Sequence, residues 1–151
     1  MLKIFCSWFV ILGLTRHYNG NARFEISYLS DPLADLFLAL SKLLKGESDY
    51  EEVAFWDEPG LHLLVISKRE ESNIDVSILW SDSRGEEDSV VVPISERQVV
   101  YTDTDTLTNF ASVICAGNDS LLERHTLKEY TEKWQDYPFP REKYEQLKQA
   151  I

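Results

Sequence analysis

The chain has 151 residues, of which 44% are hydrophobic and 12% aromatic, which suffices for one buried core and is too short to suggest two domains. Its 15 Lys and Arg against 26 Asp and Glu give a formal charge of −11. This balance argues against nucleic-acid binding, because phosphate contacts require Lys and Arg. Acidity instead favours solubility, or association with a basic partner.

The first 22 residues differ from the rest of the chain. The apolar run IFCSWFVILGL is followed by GNA at 20–22, which resembles the cleavage site of a secretory signal. Arg16 and His17 weaken a signal, and the run is too short to span a bilayer. Residues 1–22 are therefore interpreted as an N-terminal extension, with a buried strand or a signal segment as alternatives. Residues 23–151 are predicted to form a single domain. The protein is predicted to be cytoplasmic, with export as the alternative if residues 1–22 act as a signal.

A strand and a helix are predicted next. RFEISYL at 23–29 alternates apolar and polar residues, as in a half-buried strand. SDPLADLFLALSKLLKG has the pattern of a helix, with Asp31 as N-cap, Pro32 at the first position and Gly46 at the end. One stripe of this helix is apolar and is predicted to face the core: Leu33, Leu36, Phe37, Leu40, Leu43 and Leu44.

Three apolar runs, VAFW, LHLLVIS and NIDVSILW, predict an antiparallel meander. The middle run is apolar at nearly every position, so it is expected to be central and covered on both faces. A type II turn is predicted over residues 58–61, with Gly60 at the position of positive φ. After the polar turn SDSRGEED, further strands are predicted in SVVVPI and RQVVY, with Pro93 at an edge or bulge.

From Asp103 the pattern becomes helical. TLTNFASVICA is predicted as a helix that Gly117 and Asn118 weaken or end. HTLKEYTEKW has Thr126 and Glu129 at capping-box spacing. On this helix, Tyr130 and Trp134 are predicted to pack together on one face. After YPFP a last amphipathic helix is predicted, with apolar positions at Tyr144, Leu147 and Ile151. The order of elements predicts an α+β domain, an antiparallel meander sheet with helices packed on one face.

Residues typical of catalysis or metal binding are sparse. Cys6 and Cys115 lie in apolar runs, which predicts small core residues in a reducing compartment. The three histidines have no metal-ligand spacing, and the six glycines form no nucleotide-binding pattern. A thiolate pair of Cys115 and His125 is disfavoured because burial raises a thiol pKa. We therefore predict no catalytic residues, no cofactor and no metal.

One end of the predicted sheet is strongly acidic. Turns of a meander alternate between its two ends, so the turns at 57–60 and 81–88 are expected at the same end, opposite KREES. Six carboxylates would then surround Arg84, and they would repel one another unless they are solvated or bind a basic partner. A solvated sheet end is the alternative. The residues predicted for partner binding are Trp56, Asp57, Glu58, Trp80, Asp82, Glu86, Glu87 and Asp88.

The sequence also resembles a group of small acidic bacterial proteins. Their pattern has an Asp-Pro helix start, W-x-x-E-P-G in the sheet, and Y-x-x-x-W followed by F-P near the end. This chain has one residue fewer between the tryptophan and the glutamate. The resemblance covers about residues 23–150 and implies no catalytic residues. Its matching positions are Asp31 and Pro32, then Trp56, Glu58, Pro59 and Gly60, then Tyr130, Trp134, Phe139 and Pro140.

Three functions are consistent with these observations. In size, acidity and layout the chain is similar to immunity proteins, which cover the basic surface of a bacterial toxin. The leading hypothesis is therefore a non-enzymatic protein-binding domain with a basic partner such as a toxin, and without nucleic-acid binding or stable membrane insertion. The alternatives are a small enzyme with carboxylates near Trp56 and Trp80, and a structural or regulatory domain.

Overall fold

The computed structural model describes residues 30–57, 60–81, 97–134 and 137–151. Within these ranges the helices are α1 (Pro32–Lys45), α2 (Leu107–Arg124), α3 (Leu127–Trp134) and α4 (Arg141–Ala150). The strands are β1 (Tyr50–Asp57), β2 (Gly60–Lys68), β3 (Asn73–Ser81) and β4 (Gln98–Thr106), and a short 3-10 helix at Glu70–Ser72 connects β2 to β3. The α+β class is thereby confirmed.

The four strands form one antiparallel sheet in the order β1-β2-β3-β4, which confirms the meander of the three apolar runs. β4 pairs directly with β3. A further strand is also predicted in SVVVPI. That segment lies outside the described residues, as do the predicted strand at 23–29 and the N-terminal segment 1–22.

Helix α1 begins and ends where its local sequence predicts. The Asp31 Oδ1 accepts a hydrogen bond from the Ala34 amide at 3.1 Å, and Pro32 occupies the first turn, where a missing N–H costs nothing. Gly46 ends the helix with a φ of 73°, which glycine adopts without strain. The predicted apolar stripe is buried, except that Leu44 is only partly buried.

The sheet is apolar on two faces. On the helix face, Val53, Leu64 and Ile78 belong to the main core with residues of all four described helices. On the opposite face, called the outer face here, Leu61 and Leu63 are buried in a smaller cluster with Ala54, Trp56, Val65 and Leu79. The prediction that the middle run is central and covered on both faces is therefore confirmed.

The boundary between β4 and α2 differs from the prediction. Asp103 to Thr106 still belong to β4, in register with Val76 to Asn73, so the change to helix comes at Leu107. Gly117 and Asn118 do not end α2, and both are buried within it. The Asn118 side chain donates to the Ile114 carbonyl oxygen at 2.8 Å, which satisfies its amide nitrogen inside the helix.

The capping box before α3 is formed as predicted. The Thr126 amide donates to Glu129 Oε2 at 2.7 Å, and the Glu129 amide donates to Thr126 Oγ1 at 3.2 Å. Tyr130 and Trp134 on the following turns are buried, which confirms their predicted packing. Ile151 differs, because it lies beyond the end of α4 and is exposed.

An aromatic cluster joins three helices. The Phe139 ring lies 6.1 Å from Phe37 of α1, 5.4 Å from Tyr130 of α3 and 5.5 Å from Tyr144 of α4. The Tyr144 hydroxyl also donates to Asp119 Oδ1 at 2.7 Å, and this bond ties α4 to α2. Phe139 of the sequence motif is thus a packing residue of the core, and Pro140 directly precedes α4.

The turn between β2 and β3 contains two strained residues and yields a prediction. Glu71 and Ser72 have positive φ values of 58° and 70°, which glycine tolerates better than other residues. Ser72→Gly is expected to raise the free energy of unfolding by about 0.5–1 kcal/mol in urea denaturation. Ser77→Gly, within β3, is the control and should lower it by about 0.5–1 kcal/mol. Destabilisation by Ser72→Gly would contradict the strain.

Candidate functional site

The strand register brings two chain segments to one end of the sheet. Asp57 is paired with Gly60 at the β1–β2 turn, and Leu61 is paired with Ser81, the last residue of β3. The turn over 69–72 lies at the opposite end, because it connects Lys68 to Asn73. The end of β3 therefore lies beside the connection between β1 and β2.

Most of the predicted carboxylates at this end lie outside the described residues. Asp57 ends β1, and its position at the sheet end follows from its backbone pairing. The clustering of the other acidic residues stays a prediction, since the described ranges do not include Glu58, Asp82, Arg84, Glu86, Glu87 and Asp88.

Trp56 and Trp80 lie on opposite faces of the sheet. Trp56 is paired with Leu61 and packs with the cluster on the outer face. Trp80 is paired with His62 and Gln98, one position along β2, which places it on the helix face. The two indoles therefore flank the sheet end from its two sides and do not line one common surface.

The strand pairing contradicts the predicted type II turn over residues 58–61, which would place Gly60 inside the turn. Gly60 is the first residue of β2 and is paired with Asp57, so residues 58 and 59 form the connection. Glycine is required there for another reason. A Cβ on Gly60 would collide with the Ser81 carbonyl oxygen and lie 3.1 Å from the Trp80 Nε1. Close approach of β3 therefore explains the glycine of the motif.

Gly60→Ala is accordingly expected to lower the free energy of unfolding by about 1–3 kcal/mol, the usual cost of overpacking against backbone. Chemical denaturation measures it. Gly46→Ala is the comparison, since nothing lies within 4 Å of a Cβ there and only the positive φ is strained. A Gly60→Ala protein as stable as the parent would show that β2 and β3 are not in close contact at this end.

His62 is a buried residue of this end that the sequence analysis did not select. It lies between Phe55 and Trp80 in one row of the sheet, and only 8% of its surface is exposed. Burial lowers the pKa of its imidazole to about 4, so the ring is neutral at pH 7. The histidine therefore supplies no positive charge to this end of the sheet.

A second polar feature connects β1 with the residue before β4. The Arg97 Nη1 lies 2.6 Å from Glu52 Oε1, and their side chains are 11% and 25% exposed. The Tyr50 hydroxyl also donates to Glu52, and the hydrogen bond to Glu52 raises the pKa of Arg97. No local sequence signal predicts this ion pair, since its partners are 45 residues apart.

The described residues offer little support for a reactive thiol, a metal site or a membrane-spanning helix. Cys115 is buried, and its desolvation raises the thiol pKa to about 11, so the thiolate is disfavoured. Among the described side chains, no group of three or more His, Cys, Asp or Glu is placed to hold a metal ion. None of the described helices combines the length and the apolar character needed to cross a membrane.

Comparisons of the chain with protein-family models, with curated proteins and with solved structures find no match.

Proposed function

We propose that the chain is a non-enzymatic, acidic protein-binding domain, and that it binds a basic protein at the sheet end that carries the 57–60 turn. The observation that carries the proposal is the register, because Asp57 and Ser81 end their strands at the same end. The acidic segment 82–88 continues from Ser81. An immunity-type inhibitor of a toxin is the most concrete form of this function.

The charge of the chain supports this proposal. Only Lys3 and Arg16 are charged in the first 22 residues, so residues 23–151 carry 13 bases and 26 acids, a charge of −13. A field of this sign attracts a basic protein over distances of about one Debye length, roughly 10 Å at 0.1 M salt. It accelerates encounter more than it slows dissociation.

Cys115 is a buried cysteine without a disulfide, which is typical of proteins in a reducing compartment, and this supports the cytoplasm as the location. The two alternatives, a carboxylate-dependent enzyme and a structural domain, differ from binding in what they require. An enzyme needs convergent acids in a concave site, whereas a binding end needs only exposed ones.

The test starts with affinity capture of a basic partner at low and at high salt. In kinetics with that partner, Glu58→Gln, Glu86→Gln and Glu87→Gln together are expected to slow association about tenfold at low salt and much less at high salt. The reason is that three charges are removed from the approach surface, while the fold stays intact.

The control removes the same charge from other parts of the surface. Glu47, Glu123 and Glu145 are exposed residues at the end of α1 or on helices α2 and α4, and their replacement by Gln should change the association rate much less. If both triple variants associate at the same rate as the parent protein, binding at this sheet end is contradicted.

A further inference from the structure

The ion pair between Arg97 and Glu52 connects β1 with the beginning of β4. Glu52 lies two residues before Ala54 on β1, so its side chain points to the outer face. Arg97 directly precedes Gln98, the first residue of β4, which is paired with Trp80 on β3. In the described sheet β1 and β4 are three strand spacings apart, about 14 Å. The Arg97 side chain therefore reaches Glu52 across the outer face of the two central strands.

Burial distinguishes this ion pair from one at the surface. The Arg97 Nη1 lies 2.6 Å from Glu52 Oε1, and the two side chains are 11% and 25% exposed. In the pair of Lys128 and Glu132 on α3, the side chains are 86% and 63% exposed. Water screens an exposed pair, which contributes little, whereas removal of one partner from a buried pair leaves the other charge desolvated. Loss of Arg97 or Glu52 is therefore costly for the segment that the pair holds.

The segment 97–100, called the entry segment here, has little buried surface of its own. Val99 and Val100 are 61% and 46% exposed, and β4 is exposed or only partly buried along its whole length. The strand register shifts between Ile78 and Leu79, so that the pairing with β3 passes over Val100. Such a bulge interrupts the ladder of backbone hydrogen bonds. Low burial and an interrupted ladder are properties of segments that open locally while the rest of a protein stays folded.

We propose that the ion pair of Arg97 and Glu52 is a latch that holds the entry segment against the sheet. When the latch opens, the entry segment separates from β3 and turns about the bulge at Val100, while the rest of β4 stays paired. The opening ends at Tyr101, because this ring packs against the main core. The latch does not rest on the proposed binding of a basic protein, since it involves only contacts within the chain.

The test is amide hydrogen exchange of the full chain, followed by NMR. Arg97→Met removes the guanidinium and keeps an unbranched apolar side chain. It is expected to accelerate exchange of the amides that connect residues 98–99 with residues 79–80 by about tenfold, as for the loss of a charge-assisted hydrogen bond. Glu52→Gln should accelerate the same amides. Exchange within residues 102–106, beyond the bulge, should not change and serves as the internal reference.

Glu51→Gln is the matched control, because Glu51 is the next residue on β1 and pairs with Lys42, with the Nζ 3.4 Å from its Oε1. It should leave exchange in the entry segment unchanged. The double variant Arg97→Met, Glu52→Gln should resemble Arg97→Met alone, since one interaction cannot be lost twice. The latch is overturned if Arg97→Met leaves these amides unchanged, if Glu51→Gln acts as strongly as Glu52→Gln, if the single effects multiply in the double variant, or if residues 102–106 accelerate equally.

Discussion

Trp134→Ala is expected to lower the free energy of unfolding by about 3–5 kcal/mol, the range for large aromatic truncations in a core. Trp134 is 2% exposed and belongs to the main core, together with residues of the sheet and of the other helices. Removal of the indole leaves a cavity that the helices cannot fill without moving. Urea denaturation followed by circular dichroism measures the loss.

Leu127→Ala is the matched control for this prediction, because it shortens an exposed side chain at the start of the same helix. Its expected cost is below about 1 kcal/mol. A loss below about 1 kcal/mol for Trp134→Ala as well would mean that the indole is not part of the core, and would make the tryptophan available for binding.

The stability of the protein is expected to fall by about 3 kcal/mol between pH 6.5 and pH 4 on account of His62 alone. Burial lowers the pKa of His62 from 6.5 to about 4. The unfolded chain therefore takes up a proton in this window before the folded protein does. The stability from the neutral, buried ring is fully present above pH 6.5 and is lost as the pH falls towards 4.

His62→Gln isolates this contribution, since glutamine does not titrate. Burial raises the pKa values of Asp31 and Asp35, which has the opposite effect on stability at low pH, and both proteins share it. The free energy of unfolding, measured from pH 7 to pH 4, should decrease more steeply for the parent protein than for the variant. Parallel curves would contradict a buried neutral histidine.

Local signals predict helix α1 almost completely, and long-range packing explains where prediction is wrong. Asp31, Pro32 and Gly46 act on their own backbone neighbours, so their roles can be inferred from the sequence. Gly60 depends on the position of Ser81 in another strand. Asn118 lies within α2, where its side-chain amide donates to the Ile114 carbonyl oxygen. Amino-acid composition alone does not predict this hydrogen bond.

For the candidate site, too, the sequence predicts which chain segments meet at one end of the sheet, but not which face each side chain occupies. Alternation of turns in a meander places the 57–60 turn and the end of β3 together, as the structure confirms. The faces of Trp56 and Trp80 depend on the length of the β1–β2 connection, since one residue more or less reverses every side chain of a strand. The pairing of Arg97 with Glu52 depends on tertiary contact and has no sequence signature.

The aromatic cluster has a consequence for synthesis of the protein in the cell. The Phe37 ring lies 5.1 Å from the Tyr144 ring, so the first described helix packs against the last one. A ribosome releases α1 and the sheet well before α4, and until then the apolar stripe of α1 lacks this covering. The main core therefore closes only after α4 has been synthesised, and the nascent protein must keep that stripe from aggregating during the interval.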